Sequence, residues 1–150
     1  MKGGGRAASF LVRYIHTYMR ILLYGHAGWI GQKIAALLEE SEHTVCRGHA
    51  RVDDVPNVIC EIEAHAPDRV VCSVGRTHGP GCATIDYLEQ PGRLVENVRD
   101  NLFAPLSLAL HCQARGLHLT YLGTGCIFEY ADHHPAPFAE DDIPNFFGSG

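Results

Sequence analysis

A chain of 150 residues that is 46% hydrophobic and 19% charged is long enough for one substantial core and has the make-up of a globular domain. Its net charge of −5 leaves no basic face, so nucleic acid is not an expected partner, and no apolar run approaches the length of a membrane span. Six cysteines (Cys46, Cys60, Cys72, Cys82, Cys112, Cys126) form no Cys-x-x-Cys pair and mostly lie in apolar runs, which suits reduced thiols in a cytoplasmic protein. The histidines are scattered: neither His133-His134 nor His78 with Cys82 matches a zinc spacing, so no metal is expected.

Residues 1–19 carry Lys2, Arg6 and Arg13 and no acid, which predicts a flexible basic tail; a short transit peptide has the same bias. The organising stretch follows. Ile21 to Tyr24 is an apolar strand, Gly25, Gly28 and Gly31 are spaced Gly-x-x-Gly-x-x-Gly, and Ile30, Ile34, Leu37 and Leu38 then recur at helical spacing. A strand, a tight glycine turn and a helix form the arrangement a dinucleotide pyrophosphate needs. Glycine lets the backbone approach, and the helix's unpaired N–H groups and dipole hold the phosphates. A glycine-rich turn without a ligand is the blander reading of the same pattern.

His43 to Cys46 reads as a second strand, whose end should lie beside the adenosine ribose. An acidic residue there would select NAD, but the chain places Arg47, Gly48, His49, Ala50 and Arg51. Arginine takes up a ribose 2′-phosphate through charge-assisted bonds, so Arg47 and Arg51 point to NADP. NAD stays open as the alternative because Asp53 and Asp54 follow closely.

Val55 to His65 is the next helix, stopped by Pro67-Asp68, and Arg69 to Val74 is a strand apolar on consecutive positions, as in a sheet covered on both faces. The polar loop Arg76-Thr77-His78 leaves that strand at its carboxyl end, where α/β sheets bind ligands; a solvated loop is the other reading. Arg93 to Arg115 is the longest helical stretch, with Leu94, Val98, Leu102, Leu106 and Leu110 at helical spacing and Pro105 as an expected kink. Leu117 to Leu122 is a fourth strand, and from Ala131 the chain is loop. Strand and helix alternating in this way predict a Rossmann-type, doubly wound parallel α/β sheet over residues 20–150.

With these elements placed, the chain resembles the extended short-chain dehydrogenase/reductase superfamily, and within it the nucleotide-rhamnose synthases, epimerase/reductases acting on a 4-keto-6-deoxy nucleotide sugar. The residues that carry the likeness are Tyr24-Gly25-x-x-Gly28-Trp29-Ile30-Gly31, Thr124-Gly125-Cys126-Ile127-Phe128-Glu129-Tyr130, and Pro144-Asn145-Phe146 with Gly148-Ser149. The resemblance implies that Gly25, Gly28, Trp29, Ile30 and Gly31 hold the dinucleotide and that Thr124 bonds the 4-keto oxygen. It implies that Cys126 is an acid/base at the neighbouring carbons, a core thiol being the alternative. Asn101 would belong to the proton relay near the cofactor, or be an ordinary buried amide. The implied partner is a UDP- or dTDP-linked keto sugar, with room for a homodimer of the full-length enzyme. The family's Tyr-x-x-x-Lys is absent, since none of the six tyrosines has a lysine four residues on. The chain is therefore expected to be the amino-terminal part of such an enzyme, with the sheet truncated before its last strands and no turnover on its own. A non-catalytic dinucleotide-binding module is the alternative.

Overall fold

Four short strands, β1 (Arg20–Tyr24), β2 (Thr44–Arg47), β3 (Arg69–Cys72) and β4 (His118–Tyr121), make one parallel sheet in the order β2-β1-β3-β4. The structure, a computed structural model, describes residues 18–76, 78–88, 90–123, 127–129 and 137–145. The expected tail therefore lies outside the described residues, apart from Tyr18 and Met19.

β1 is central, so Ile21, Leu22, Leu23 and Tyr24 are all buried. The outer strands β2 and β4 are only partly covered. The β2 and β4 boundaries each differ from the apolar runs by a residue, because hydrogen-bond register with β1 and β3, rather than hydrophobicity, sets where a strand ends. The core joins Leu22, Tyr24, Val70 and Cys72 of the sheet to Val58 and Ile62 of one helix and Ala104, Leu108 and Cys112 of another.

α1 (Trp29–Glu40) differs from expectation in its packing face: Gly31 and Ala35 are buried, whereas Ile30 and Leu37 are exposed. Small residues let the helix axis come close to β1, and the large ones are displaced to its flanks. α2 (Val55–His65) starts at Asp54, whose carboxylate accepts from the Asn57 amide at 3.4 Å, and ends at Ala66 in the left-handed conformation.

The long helical stretch is not simply kinked. α3 (Leu94–Asn97) runs into a π-helical turn, Val98–Phe103, which passes into α4 (Ala104–Ala114). Pro105 has no N–H for the Asn101 carbonyl, and its ring would press on that carbonyl in a regular helix, so the backbone widens just upstream. Ala104, Ser107, Leu108 and Cys112 face the core, whereas Leu94, Val98, Leu102, Leu106 and Leu110 form an exposed row. No described helix is long and apolar enough to cross a membrane.

Candidate functional site

β2 and β3 lie on opposite sides of β1, so the connections from β1 lead to opposite edges of the sheet and a crevice opens at the carboxyl ends of β1 and β3. Gly25, just after β1, has φ +83°, and a Cβ there would lie 2.6 Å from Ser73 Oγ, just after β3. Gly31 is buried, and a Cβ on it would run into the Gly25 carbonyl. These two glycines are demanded by the fold. Gly28 is not: its φ of −74° suits any residue, and a Cβ would meet only the Gly25 carbonyl oxygen, at 3.4 Å.

Gly28 is also the residue preceding α1, and no side chain caps the helix there. The first-turn N–H groups of a helix have no intrahelical acceptors, so this end presents donors and a positive dipole to open space. Bare donors, a positive helix end and room above Gly28 fit a pyrophosphate. Trp29 is 76% exposed and Ile30 is exposed at the same end.

The loop after β2 is fixed from below. The Tyr24 ring fills the space under Gly48, where a Cβ would lie 2.6 Å from Cδ1, and Glu61 Oε1 accepts the backbone N–H groups of His49 and Ala50 at 2.8 and 2.9 Å. Tyr24 Oη and Glu61 Oε2 are buried without a hydrogen-bond partner among the described residues, and burial together with the Glu61 charge pushes the tyrosine pKa well up. The His49 ring stands edge-on to His26 of the glycine turn, with centroids 5.1 Å apart. Arg47 points elsewhere: its guanidinium bonds Glu39 Oε1 at 2.7 Å, near the far end of α1.

The loop after β3 is held by the π-helical turn. Asn101 Oδ1 accepts the Arg76 N–H at 2.8 Å, and its Nδ2 donates to the Arg76 carbonyl at 3.0 Å and to Asn97 Oδ1 at 2.9 Å. Beside it Asp100, only 9% exposed, bonds Arg76 Nε at 2.6 Å and Arg99 Nε at 2.7 Å, with Arg51 at 3.4 Å. Burial pushes the Asp100 carboxyl up, but the bonds from Arg99 and Arg76 outweigh it and leave its pKa below the ordinary value. Arg51 and Arg99 also meet Asp53, at 3.0 and 3.6 Å. A cavity of about 280 Å³ opens between the two loops, lined by Ala50, Val52 and Asp53 on one side and Val74, Arg76 and Asp100 on the other.

Thr124, Cys126 and Thr77 lie outside the described residues, as do Gly148 and Ser149. Of the segments that carry the resemblance, the described parts meet. Asn145 accepts the Glu129 N–H at 2.8 Å and donates to the Glu129 carbonyl at 3.0 Å, while Phe128 stacks on Phe138 with centroids 4.3 Å apart.

The sequence reading singled out Arg47, Arg51, Arg76 and Asn101; the structure brings Arg51 and Arg76 to one cavity, with Asn101 holding the Arg76 backbone, while Arg47 is drawn away. It missed Asp100, the hub of that rim, and Glu61, which fixes the ribose-side loop. An acid between Arg99 and Asn101 on an apolar helix was a readable signal for the first; nothing in the sequence marked Glu61.

No protein-family model matches the chain. It is 53% identical over 134 residues to a protein of Acanthamoeba polyphaga mimivirus named uncharacterized protein L780, covering 87% of this chain and 46% of that one. The crystal structure of the L780 UDP-rhamnose synthase of the same virus superposes with a TM-score of 0.80 at 52% identity, over 89% of this chain and 47% of that one. A bifunctional dTDP-4-dehydrorhamnose 3,5-epimerase/dTDP-4-dehydrorhamnose reductase of Arabidopsis thaliana is 38% identical over 85% of the chain and 42% of its own length. The chain thus spans less than half the length of these relatives. The fold alone is shared with Thermus thermophilus UDP-glucose 4-epimerase in complex with NAD, at a TM-score of 0.69 and 20% identity over 85% of this chain and 44% of that one. It is likewise shared with Pseudomonas aeruginosa RMD complexed with NADPH, at 0.62 and 21% over 85% and 42%. With a glycine-turned crevice at the β1–β3 crossover, the chain is thus homologous to the mimivirus L780 protein and to the Arabidopsis epimerase/reductase, and has the Rossmann-type parallel sheet of these enzymes.

Proposed function

We propose that these residues are the dinucleotide-binding, amino-terminal part of a nucleotide-sugar 3,5-epimerase/4-keto-reductase that forms an L-rhamnose nucleotide, with NADP as cofactor and NAD as the alternative. The observation that carries the reading is the uncapped amino terminus of α1 at the crossover crevice, with space over Gly28 for a phosphate. The relatives named for rhamnose synthesis, and the fold neighbours that hold NAD and NADPH, support it.

In this reading Gly25, Gly28, Trp29, Ile30 and Gly31 hold the pyrophosphate. Arg51 and Arg76, with Asn101 fixing the loop, form the adenosine rim. The dinucleotide supplies the hydride for the 4-keto carbon. Thr124 donates a hydrogen bond to the oxygen that gains charge in that step, and Cys126 moves protons at the carbons beside it; both roles rest on the resemblance. The 150 residues contain no Tyr-x-x-x-Lys, so the chain by itself binds the cofactor without turning over substrate. The exposed row Leu94, Val98, Leu102, Leu106, Leu110 supports a homodimer of the full-length enzyme.

Titrating the folded chain with NADPH and NADH by calorimetry tests the binding, and NADPH oxidation with a UDP- or dTDP-4-keto-6-deoxy sugar tests the chemistry. Saturable NADPH binding with no multiple turnover is expected. A folded chain that binds neither dinucleotide refutes the reading, and multiple turnover shows that another group replaces the tyrosine and lysine.

A further inference from the structure

We propose that His49, rather than Arg47, reads the 2′-phosphate of the adenosine ribose and sets the preference for NADP over NAD. The proposal rests on the dinucleotide reading above and adds a residue to it. A dinucleotide whose pyrophosphate sits at the start of α1 places its adenosine ribose at the carboxyl end of β2.

Arg47 is the last residue of β2, but its guanidinium bonds Glu39 at 2.7 Å. Glu39 stands ten residues beyond Trp29 on α1, about 15 Å along the helix from its phosphate-facing end at 1.5 Å per residue. The next residue, Gly48, has no side chain and is packed on the Tyr24 ring. His49 is therefore the first side chain past the strand that stands on the crevice side. Its edge contact with His26 ties it to the glycine turn, so the two rings face the ribose position from neighbouring loops.

The backbone offers the phosphate little here. The N–H groups of His49 and Ala50, which could form an anion nest, both point into Glu61 Oε1. Recognition must then come from side chains. Three arginines of the region are held close by carboxylates, Arg47 by Glu39 at 2.7 Å and Arg76 and Arg99 by Asp100 at 2.6 and 2.7 Å, which leaves Arg51, exposed and bonded at 3.0 and 3.4 Å, as the one of these four able to turn to a phosphate. An imidazole N–H donor at His49 gives the phosphate a second side-chain partner beside Arg51.

The test titrates the chain and its His49→Asp and His49→Gln variants with NADPH and NADH, and with 2′,5′-ADP and 5′-AMP to isolate the adenosine half. Replacing a donor to phosphate by a carboxylate should weaken NADPH and 2′,5′-ADP about 10²-fold, while NADH and 5′-AMP keep their affinity or gain from a bond to the ribose hydroxyl. His49→Gln keeps an N–H donor and should fall between, with NADPH weakened about tenfold as the bond to the phosphate becomes poorer. Thermal melting confirms that each variant is folded. An unchanged NADPH-to-NADH ratio in folded His49→Asp overturns the proposal and leaves the dinucleotide reading standing, as does a parent chain that prefers NADH. A folded parent that binds neither dinucleotide overturns both.

Discussion

The glycine turn permits a clean separation of folding from binding. Gly31→Ala places a methyl against the backbone carbonyl of Gly25, which cannot step aside without moving the end of β1. Overpacking of this kind costs about 1–3 kcal/mol even where side chains can yield, and here the neighbour is backbone. The helix propensity gained by Ala over Gly, about 1 kcal/mol, offsets only part of it. Gly28→Ala meets one ordinary contact at 3.4 Å on a backbone that any residue adopts. Losing Gly before the helix costs a few tenths to about 1 kcal/mol, and the reduced freedom of the unfolded chain returns about 0.4–1. Gly28→Ala should therefore melt within about 4 °C of the parent, while Gly31→Ala melts well below it. Binding should show a different order. The methyl of Gly28→Ala occupies the space where a phosphate meets the helix N–H groups, and loss of two charge-assisted bonds at about 1.5–3 kcal/mol each weakens NADPH by more than 10²-fold. Circular dichroism melts and calorimetric titration of both variants check this. Gly28→Ala that keeps its affinity, or Gly31→Ala that melts with the parent, would refute the reasoning.

Asn101→Ala removes both bonds to the Arg76 backbone and should cost about 1–3 kcal/mol, read as faster amide exchange at Arg76 together with a lower melting point. The Asp100 pKa is lowered in the folded chain, so its stabilising contribution is complete above the ordinary value of 3.8 and is lost as pH falls through the lowered one; Asp100→Asn should flatten the acid limb of a melting-point profile in that range. In a full-length enzyme carrying these residues, Cys126→Ala should slow solvent deuterium exchange into the keto sugar more than hydride transfer, and Thr124→Ala should do the reverse. Unchanged exchange in the cysteine variant would return Cys126 to the role of a core thiol. Pro105→Ala should let the helix close to a regular turn, rotate Asp100 and Asn101 relative to the Arg76 loop, and abolish protection of the Arg76 amide; a protected amide would separate the proline from the π-helical turn.

Much of the scaffold was legible because the inner strands β1 and β3 are apolar runs, Gly or turn residues punctuate the chain between elements, and the glycine spacing marks the crevice. What was not legible depends on residues distant in sequence. Arg47 and Arg51 looked like free phosphate ligands because Glu39 lies eight residues back and Asp100 forty-nine ahead. The face of α1 was misjudged because periodicity follows large apolar residues, whereas close helix–strand contact selects Gly31 and Ala35. Asn101 stood out as a polar residue on an apolar helix, but its work on the Arg76 backbone needs the π-helical turn, and a proline in sequence announces a kink without saying which side chains it re-aims.

The ion pairs of the rim are unequal, and the inequality decides which arginine can serve a ligand. Arg51 is 60% exposed and its bonds to Asp53 and Asp100 are 3.0 and 3.4 Å. Exposed pairs of that kind are worth about 0–1 kcal/mol, so an arriving phosphate with nearly two charges can outbid the carboxylates. Arg76 is 29% exposed, bonds a carboxylate that is itself buried at 2.6 Å, and has its backbone fixed by Asn101. Pulling it away would break the shortest bond of a carboxylate that is only 9% exposed, a larger cost than loosening the exposed pair. Arg51 is thus the guanidinium that can swing to a 2′-phosphate, while Arg76 stays to shape the wall of the cavity. The sequence presents the two residues as equivalents. Burial of a single carboxylate, Asp100, separates their roles.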